Sequence, residues 1–227
     1  MALSTTDLGK EGGSGLPKTI APGNHLLKIN SVALEDFKFI PNAYHLVINV
    51  ETEPIEGFEG FLIDKDNESL GRYAGQIGRV KASQYAFADG KTKTGIEVQR
   101  DRSILIFLQK LCKTLSINDW FVAQDSKHDT IEELIQAFND DAPFKDKLFD
   151  ACVAGKEYEG KSGYTNYDMW FPKDGKGVYA IAPKGGSVLS YNEDEHLKKM
   201  ETKAVSSFGD DDDLDIPKRA ASDFSLD

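Results

Sequence analysis

The stretch YHLVINVE (residues 44–51) decides the fold class of this chain. Its apolar side chains recur at every second position, as Tyr44, Leu46, Ile48 and Val50. Because successive side chains of a strand point to opposite faces, this period of two predicts a strand with one buried face. Pro54 follows closely and is expected to end the strand, since proline cannot donate a hydrogen bond to a sheet.

Further strands and two helices are predicted on either side of this stretch. The strands cover 25–32, 44–53, 58–64, 76–88, 151–159, 163–171 and 177–182, and the helices cover 102–116 and 131–139. Thr130 and Glu133 form a capping box in front of the second helix. The order has no strict alternation of strands and helices. It therefore predicts a mainly β fold, a small barrel or strongly bent antiparallel sheet with an inserted pair of α-helices.

Composition predicts three regions in the 227 residues. We expect a flexible glycine-rich arm at 1–20, a folded domain at 21–190, and a linker with a disordered acidic tail at 191–227. No run of about 18 apolar residues indicates a membrane span, and no secretory signal is evident. Cys112 and Cys152 are not in a Cys-x-x-Cys motif, so reduced thiols and a cytoplasmic location are expected.

Charge is distributed unevenly along the chain, whose net charge is -11. Residues 72–118 carry 9 basic and 3 acidic side chains, whereas residues 206–227 carry 2 basic and 7 acidic ones. A basic segment within an acidic protein indicates a local site for a polyanion, because the position of charge matters more than its total.

The predicted strand at 76–88 combines cations and aromatic rings on one face. Single-stranded nucleic acid is held by cations along its phosphates and by aromatic rings against its bases. We therefore expect phosphates to contact the cations Arg72, Arg79, Lys81, Lys91, Lys93, Arg100 and Arg102. The candidate stacking rings are Tyr73, Tyr85, Phe87 and Trp170. In the alternative interpretation the rings belong to the core and the cations are merely solvated.

The acidic tail adds a second indication. A tethered polyanion would compete with nucleic acid for the cations, and its apolar residues could bind partner proteins. The tail residues assigned to partner binding are Phe208, Asp210, Asp211, Asp212, Asp213 and Phe224.

The segment from Phe208 to Pro217 resembles the acidic tails of bacterial and bacteriophage single-stranded-DNA-binding proteins. The strand-rich layout with a late hairpin at 160–164 is similar to the phage branch of that family. The tail differs in one respect, because Lys218 and Arg219 follow Pro217 where the family usually ends on a terminal phenylalanine.

The resemblance implies an OB fold, sequence-tolerant binding of single-stranded DNA without catalysis, and roles in DNA replication, recombination and repair. The partners it implies are polymerase, helicase or nuclease, recruited through the tail; no membrane is involved, and a homodimer is compatible. For a phage protein the location would be the host cytoplasm. No cofactor or metal is expected, since the four histidines lack metal-ligand spacing.

Two alternatives stay open. Residues 155–162 match the P-loop pattern, with Lys161 and Ser162 in the phosphate-binding positions, which would make the protein a nucleotide-binding enzyme. The residues that follow are poor helix formers, however, and a β-hairpin turn explains them as well. The second alternative is a protein–protein adaptor or virion component that binds no nucleic acid.

Overall fold

The computed structural model describes residues 19–53, 60–62, 72–91, 94–160, 165–173 and 179–200. The strands are β1 (Gly23–Asp36), β2 (Tyr44–Thr52), β3 (Gly60–Leu62), β4 (Arg72–Ala74), β5 (Ile77–Lys81), β6 (Gly90–Lys91), β7 (Glu97–Val98), β8 (Leu148–Glu159), β9 (Thr165–Trp170), β10 (Ile181–Pro183) and β11 (Leu197–Lys198). The helices are α1 (Arg100–Thr114), α2 (Asn118–Ala123), α3 (Ile131–Asp141) and α4 (Glu193–His196). The predicted mainly β class is confirmed.

Five strands form a ring that is closed by hydrogen bonds. The pairing runs β1-β2-β5-β9-β8, and β8 pairs back onto β1. All these pairs are antiparallel except β5–β9, which is parallel. Strands β10 and β11 extend the sheet from β8, while β3–β4 and β6–β7 form separate two-stranded sheets. Helices α1 to α3 are inserted between β5 and β8.

The long strand β1 allows the ring to close because it pairs with two neighbours. Its first part pairs with β8 and its second part with β2. The register with β2 shifts between Ile29 and Ser31, so Asn30 is an extra residue. A bulge of this kind bends a strand and increases its twist. The prediction at 25–32 found only the middle of this strand.

The core fills the ring and continues beneath the helices. Leu27, Ile48, Val80 and Phe149 are fully buried inside the ring. The apolar stripes of α1 and α3 join the same core from the helical side. Burial of this apolar surface is the main favourable term in folding. Each Å² of apolar surface that is removed from water contributes about 25 cal/mol.

Asn139 connects the helical insertion to β1. Its Oδ1 accepts a hydrogen bond from the Val32 amide at 2.8 Å, and its Nδ2 donates to the Val32 carbonyl oxygen at 2.7 Å. The side-chain amide thus takes the place of a neighbouring strand. Backbone groups that would otherwise be left without a partner are satisfied in this way.

Side-chain hydrogen bonds stabilise the N-termini of α1 and α3, and the one at α3 was predicted. Thr130 Oγ1 accepts from the Glu133 amide at 3.2 Å, which confirms the capping position. At α1, Asp89 Oδ1 accepts from the Arg100 amide at 2.8 Å. A carboxylate at a helix N-terminus is favourable for both its hydrogen bond and its charge.

Several predicted boundaries are wrong. The strand expected at 76–88 ends at Lys81, and the helix α2 was not predicted. Ile20, assigned to the arm, is 1% exposed and belongs to the core. Residues 191–198 are no linker, since Tyr191 packs against the core and β11 pairs with β8.

No helix in the described ranges is long and apolar enough to cross a membrane.

Both cysteines are free and buried in the core. Burial raises the pKa of the Cys112 thiol and that of the Cys152 thiol to about 12. The neutral thiol is therefore the form present near neutral pH, which makes both side chains poor nucleophiles.

Candidate nucleic-acid interface

The outward-facing side chains of β2 and β5 form one continuous surface, which we call the outer face. In β5, Arg79 points outward while Gly78 and Val80 are buried, which confirms the predicted alternation over this strand. Asn49 of β2 lies opposite Arg79, and Val47 lies opposite Lys81. The pleat of the two strands therefore places the two predicted cations on the outer face.

Both cations on the outer face are paired with carboxylates. Arg79 donates to Glu35 of β1. Lys81 Nζ lies 2.7 Å from Asp168 Oδ1, and Asp168 belongs to β9. The Arg79 side chain is 65% exposed, whereas that of Lys81 is 22% exposed. Asp168 thus reaches Lys81 from the strand next to β5, whereas Glu35 reaches Arg79 from β1, on the far side of β2.

The other predicted cations lie in different surroundings. Lys91 Nζ is 3.8 Å from Glu97 Oε1 within the β6–β7 hairpin. Arg102 is exposed on α1. Lys93 lies outside the described residues, and Arg72 and Tyr73 lie on β4, of which only the backbone is described.

Arg100 is largely engaged in contacts within the fold, so the structure gives its assignment to phosphate binding no support. Its side chain is 17% exposed and forms an ion pair with Asp101 at 2.6 Å. Its Nη1 donates to the Asn42 carbonyl oxygen at 3.2 Å, and its guanidinium carbon lies 4.6 Å from the centre of the Tyr44 ring. Together these contacts tie α1 to the β1–β2 turn. They leave little of the guanidinium for a ligand.

The cations of the basic segment (residues 72–118) are thus largely balanced by nearby carboxylates. Among the described predicted cations, four have a carboxylate within ion-pair distance: Arg79, Lys81, Lys91 and Arg100. Exposed ion pairs contribute only about 0–1 kcal/mol. A phosphate can therefore replace a carboxylate as the partner of an exposed cation at small cost.

The predicted aromatic rings divide into exposed and buried ones. Tyr85 is 74% exposed in the segment that follows β5. Phe87 packs against the core and pairs through its backbone with Tyr44. Trp170 is 7% exposed, so it offers no ring face to a base and its assignment is wrong for this conformation. The Phe87 ring is likewise used mainly for packing.

The turn between β1 and β2 presents an aromatic ring that was not predicted. Phe39 is 86% exposed, the most exposed of the large apolar side chains in the described ranges. The Phe37 ring supports it at 5.4 Å between ring centres. Tyr44, which ends this turn, exchanges two backbone hydrogen bonds with Phe87. Phe39 and Tyr85 therefore lie in two loops at the same end of the ring.

His45 lies on the outer face between the aromatic turn and Lys81. Its ring packs against Phe37 in a T-shaped arrangement with 5.2 Å between centres. Burial lowers the pKa of His45, and the neighbouring charge of Lys81 lowers it further. The imidazole is therefore neutral at pH 7 and adds no charge to the outer face.

Two predicted features fall partly or wholly outside the described residues. The tail residues Phe208, Asp210 to Asp213 and Phe224 lie outside them. Of the P-loop match, Gly155 to Glu159 form a continuous part of β8 that pairs with β9. A P-loop instead leaves its strand before the first glycine and leads into a helix.

No protein-family model, characterised protein or solved structure significantly matches this chain.

Proposed function

We propose that this protein is a sequence-tolerant single-stranded-DNA-binding protein of the OB-fold type. The observation that carries the proposal is the connectivity of the five-stranded ring. Its order, its parallel β5–β9 closure and its helices between β5 and β8 agree with a five-stranded Greek-key barrel of this type. Such barrels bind oligonucleotides on the face of their second and third strands and on the adjoining loops.

In this chain the corresponding surface is the outer face of β2 and β5 with the β1–β2 turn. Phe39 and Tyr85 supply exposed rings there, and Arg79 and Lys81 supply the cations. Bases would stack on the two rings while phosphates take over the cations from Glu35 and Asp168. This combination suits single strands, because only unpaired bases expose their ring faces.

The energies favour the aromatic rings as the main source of affinity. Stacking of a base on a ring contributes about 1–3 kcal/mol and depends little on sequence. Each cation must first lose its carboxylate partner, so the net gain from a phosphate contact is smaller. We therefore expect moderate affinity that falls as salt rises.

The acidic tail is assigned to regulation and partner recruitment, as the family resemblance implies. Its polyanionic segment would compete with DNA for Arg79 and Lys81. Deletion of residues 206–227 is expected to strengthen binding at low salt and to have little effect at high salt. Unchanged binding at low salt would remove the competition from the proposal.

The alternative functions make different predictions. A P-loop enzyme would be stabilised against heat by nucleoside triphosphate, and Lys161→Ala would abolish that effect. The strand geometry of Gly155 to Glu159 gives no support to this alternative. An adaptor would bind no nucleic acid at any salt concentration.

The test is a fluorescence-anisotropy titration of labelled oligo-dT and of a duplex of equal length, at about 50 and 200 mM salt. Binding of oligo-dT alone, weakened by salt, is the expected result. Equal binding of the duplex would contradict preference for single strands. Binding of neither oligonucleotide, with the full chain and with the tail deleted, would leave the adaptor as the better explanation.

A further inference from the structure

A cavity of about 450 Å³ lies where β5 and β9 separate. The two strands pair only through Val80–Met169 and Lys81–Trp170, so their preceding residues diverge. Thr19 and Ile20 enter this gap, and the Ile20 amide donates to the Ile77 carbonyl oxygen at 3.0 Å. The cavity therefore lies at the open end of β5, and residues of β1, β2 and β8 complete its lining.

The floor of the cavity is apolar and its rim is polar. Ile20, Val50 and Met169 are buried beneath it. Gly78 is required here, because a Cβ at this position would lie 2.5 Å from Ile20 Cγ1. On the rim, the exposed fraction of Ile77 is 54% and that of Tyr158 is 48%. This volume falls within the range of about 300–1,000 Å³ for small-ligand sites.

Two amide side chains on the rim are oriented by hydrogen bonds. Asn49 Nδ2 donates to Ser31 Oγ at 2.8 Å, and Asn30 Nδ2 donates to Glu51 Oε2 at 3.2 Å. Both bonds use the NH₂ group, so within the described part of the chain the two carbonyl oxygens are left to accept from a ligand. The exposed guanidinium of Arg79 completes the rim.

We propose that this cavity receives one unstacked nucleobase of the bound strand. The apolar floor and the Tyr158 ring would contact the base, as in sites that hold a base removed from its stack. The carbonyl oxygens of Asn30 and Asn49 can accept from N–H donors on the base edge, of which thymine offers one, at N3, and Arg79 contacts the adjoining phosphate. The proposal rests on the proposed function, since it adds a pocket for a single base to a surface that otherwise binds by stacking.

The position of the cavity fits a continuous path for the strand. It opens at the Ile77 end of β5, whereas Phe39 and Tyr85 lie beyond the Lys81 end. The four residue steps from Ile77 to Lys81 span about 13 Å at 3.3 Å per residue. A strand that follows β5 would pass Arg79 and Lys81 between the pocket and the aromatic loops.

The test follows the side-chain NH₂ signals of Asn30 and Asn49 by nuclear magnetic resonance in the full chain. Millimolar dTMP is the ligand, and deoxyribose 5-phosphate is its control without a base. We expect saturable shifts with dTMP only. Tyr158→Ala should weaken dTMP binding about fivefold or more, which corresponds to the loss of one stacking contact. Tyr179→Ala, which removes an exposed ring outside the cavity, should leave it unchanged.

The outcomes separate this proposal from the proposed function. If oligo-dT binds but dTMP moves neither asparagine signal, the base pocket is overturned and the proposed function stands. Equal shifts with deoxyribose 5-phosphate would overturn the pocket in favour of a simple anion site. Saturable dTMP shifts in a protein that fails to bind oligo-dT would support the pocket and overturn the proposed function.

Discussion

Lys81 Nζ lies 2.7 and 2.9 Å from the two carboxylate oxygens of Asp168, across the parallel pair β5–β9. The two residues are 87 positions apart in sequence. The contact holds the Lys81 cation on the outer face and at the same time neutralises it. A phosphate that approaches Lys81 must therefore replace Asp168 or share the cation with it.

Asp168→Asn is expected to strengthen oligo-dT binding about fivefold at low salt. The substitution removes one negative charge beside the path of the phosphates, an effect worth about 1 kcal/mol at 4 Å in water. It also frees Lys81 for a phosphate contact, so the dependence of log K on log salt should steepen by about 0.7. Anisotropy titrations at several salt concentrations measure both quantities.

Asp140→Asn is the matched control for this charge change. Asp140 is exposed near the end of α3, away from β5 and β9. A carboxylate near the C-terminus of a helix is slightly unfavourable, so its removal should not destabilise the fold. If both variants strengthen binding equally, total charge rather than Lys81 would be responsible.

Phe39→Ala and Tyr85→Ala are each expected to weaken oligo-dT binding by about 1–3 kcal/mol. Both rings are largely exposed, so the melting temperature should change little. Ile106→Ala is the control, because this exposed side chain lies on α1. Normal binding by the Phe39→Ala, Tyr85→Ala double variant would exclude these loops from the interface.

His25 is expected to make stability depend on pH. Burial lowers its pKa to about 4, although the Ala21 carbonyl oxygen 2.8 Å from Nε2 opposes the shift. The unfolded chain, with an ordinary pKa of 6.5, binds the proton more readily. Stability from this residue is therefore complete above pH 6.5 and is lost as pH falls towards 4.

The expected loss at about pH 5 is roughly 2 kcal/mol relative to pH 7. Urea unfolding at both pH values measures it in the native protein and in His25→Gln. The difference between the two proteins isolates this residue from the carboxylates. Parallel loss of stability in both proteins would show that His25 is not responsible.

Asn139→Ala is expected to reduce the free energy of unfolding by about 2 kcal/mol. The change leaves the amide and carbonyl groups of Val32 without their partner, and each such group costs about 1–3 kcal/mol before relaxation and hydration. Gln136→Ala, one turn earlier on the exposed side of α3, should cost under about 0.5 kcal/mol. Similar losses in both variants, measured by urea unfolding, would contradict the role assigned to Asn139.

The fold class was predictable because it depends on local periodicity. The alternation over 44–51 and the apolar stripes at 102–116 and 131–139 correspond to β2, α1 and α3. The extent of β5 was not predictable in this way. Alternation continues past Lys81 in the sequence, but the chain bends there so that Phe87 can pair with Tyr44.

The candidate site was only partly predictable because its charges are balanced by distant residues. Glu35 and Asp168 lie outside the basic segment, so counting charge along the chain could not detect them. Trp170 illustrates a similar limit, since its burial is decided by the packing of neighbouring strands. Phe39 could have been found from Phe37-Lys38-Phe39, a short aromatic and basic run just before a turn.

The most direct test of the proposed interface is photo-cross-linking of the full chain to oligo-dT that carries 4-thiothymidine, with the modified residues identified by mass spectrometry. We predict cross-links on the β1–β2 turn and on the segment after β5, with Phe39 and Tyr85 among the modified residues. The cross-links should disappear when unlabelled oligo-dT is added in excess. Competed cross-links confined to α1, α2 and α3 would place the strand on the helical layer and contradict the account.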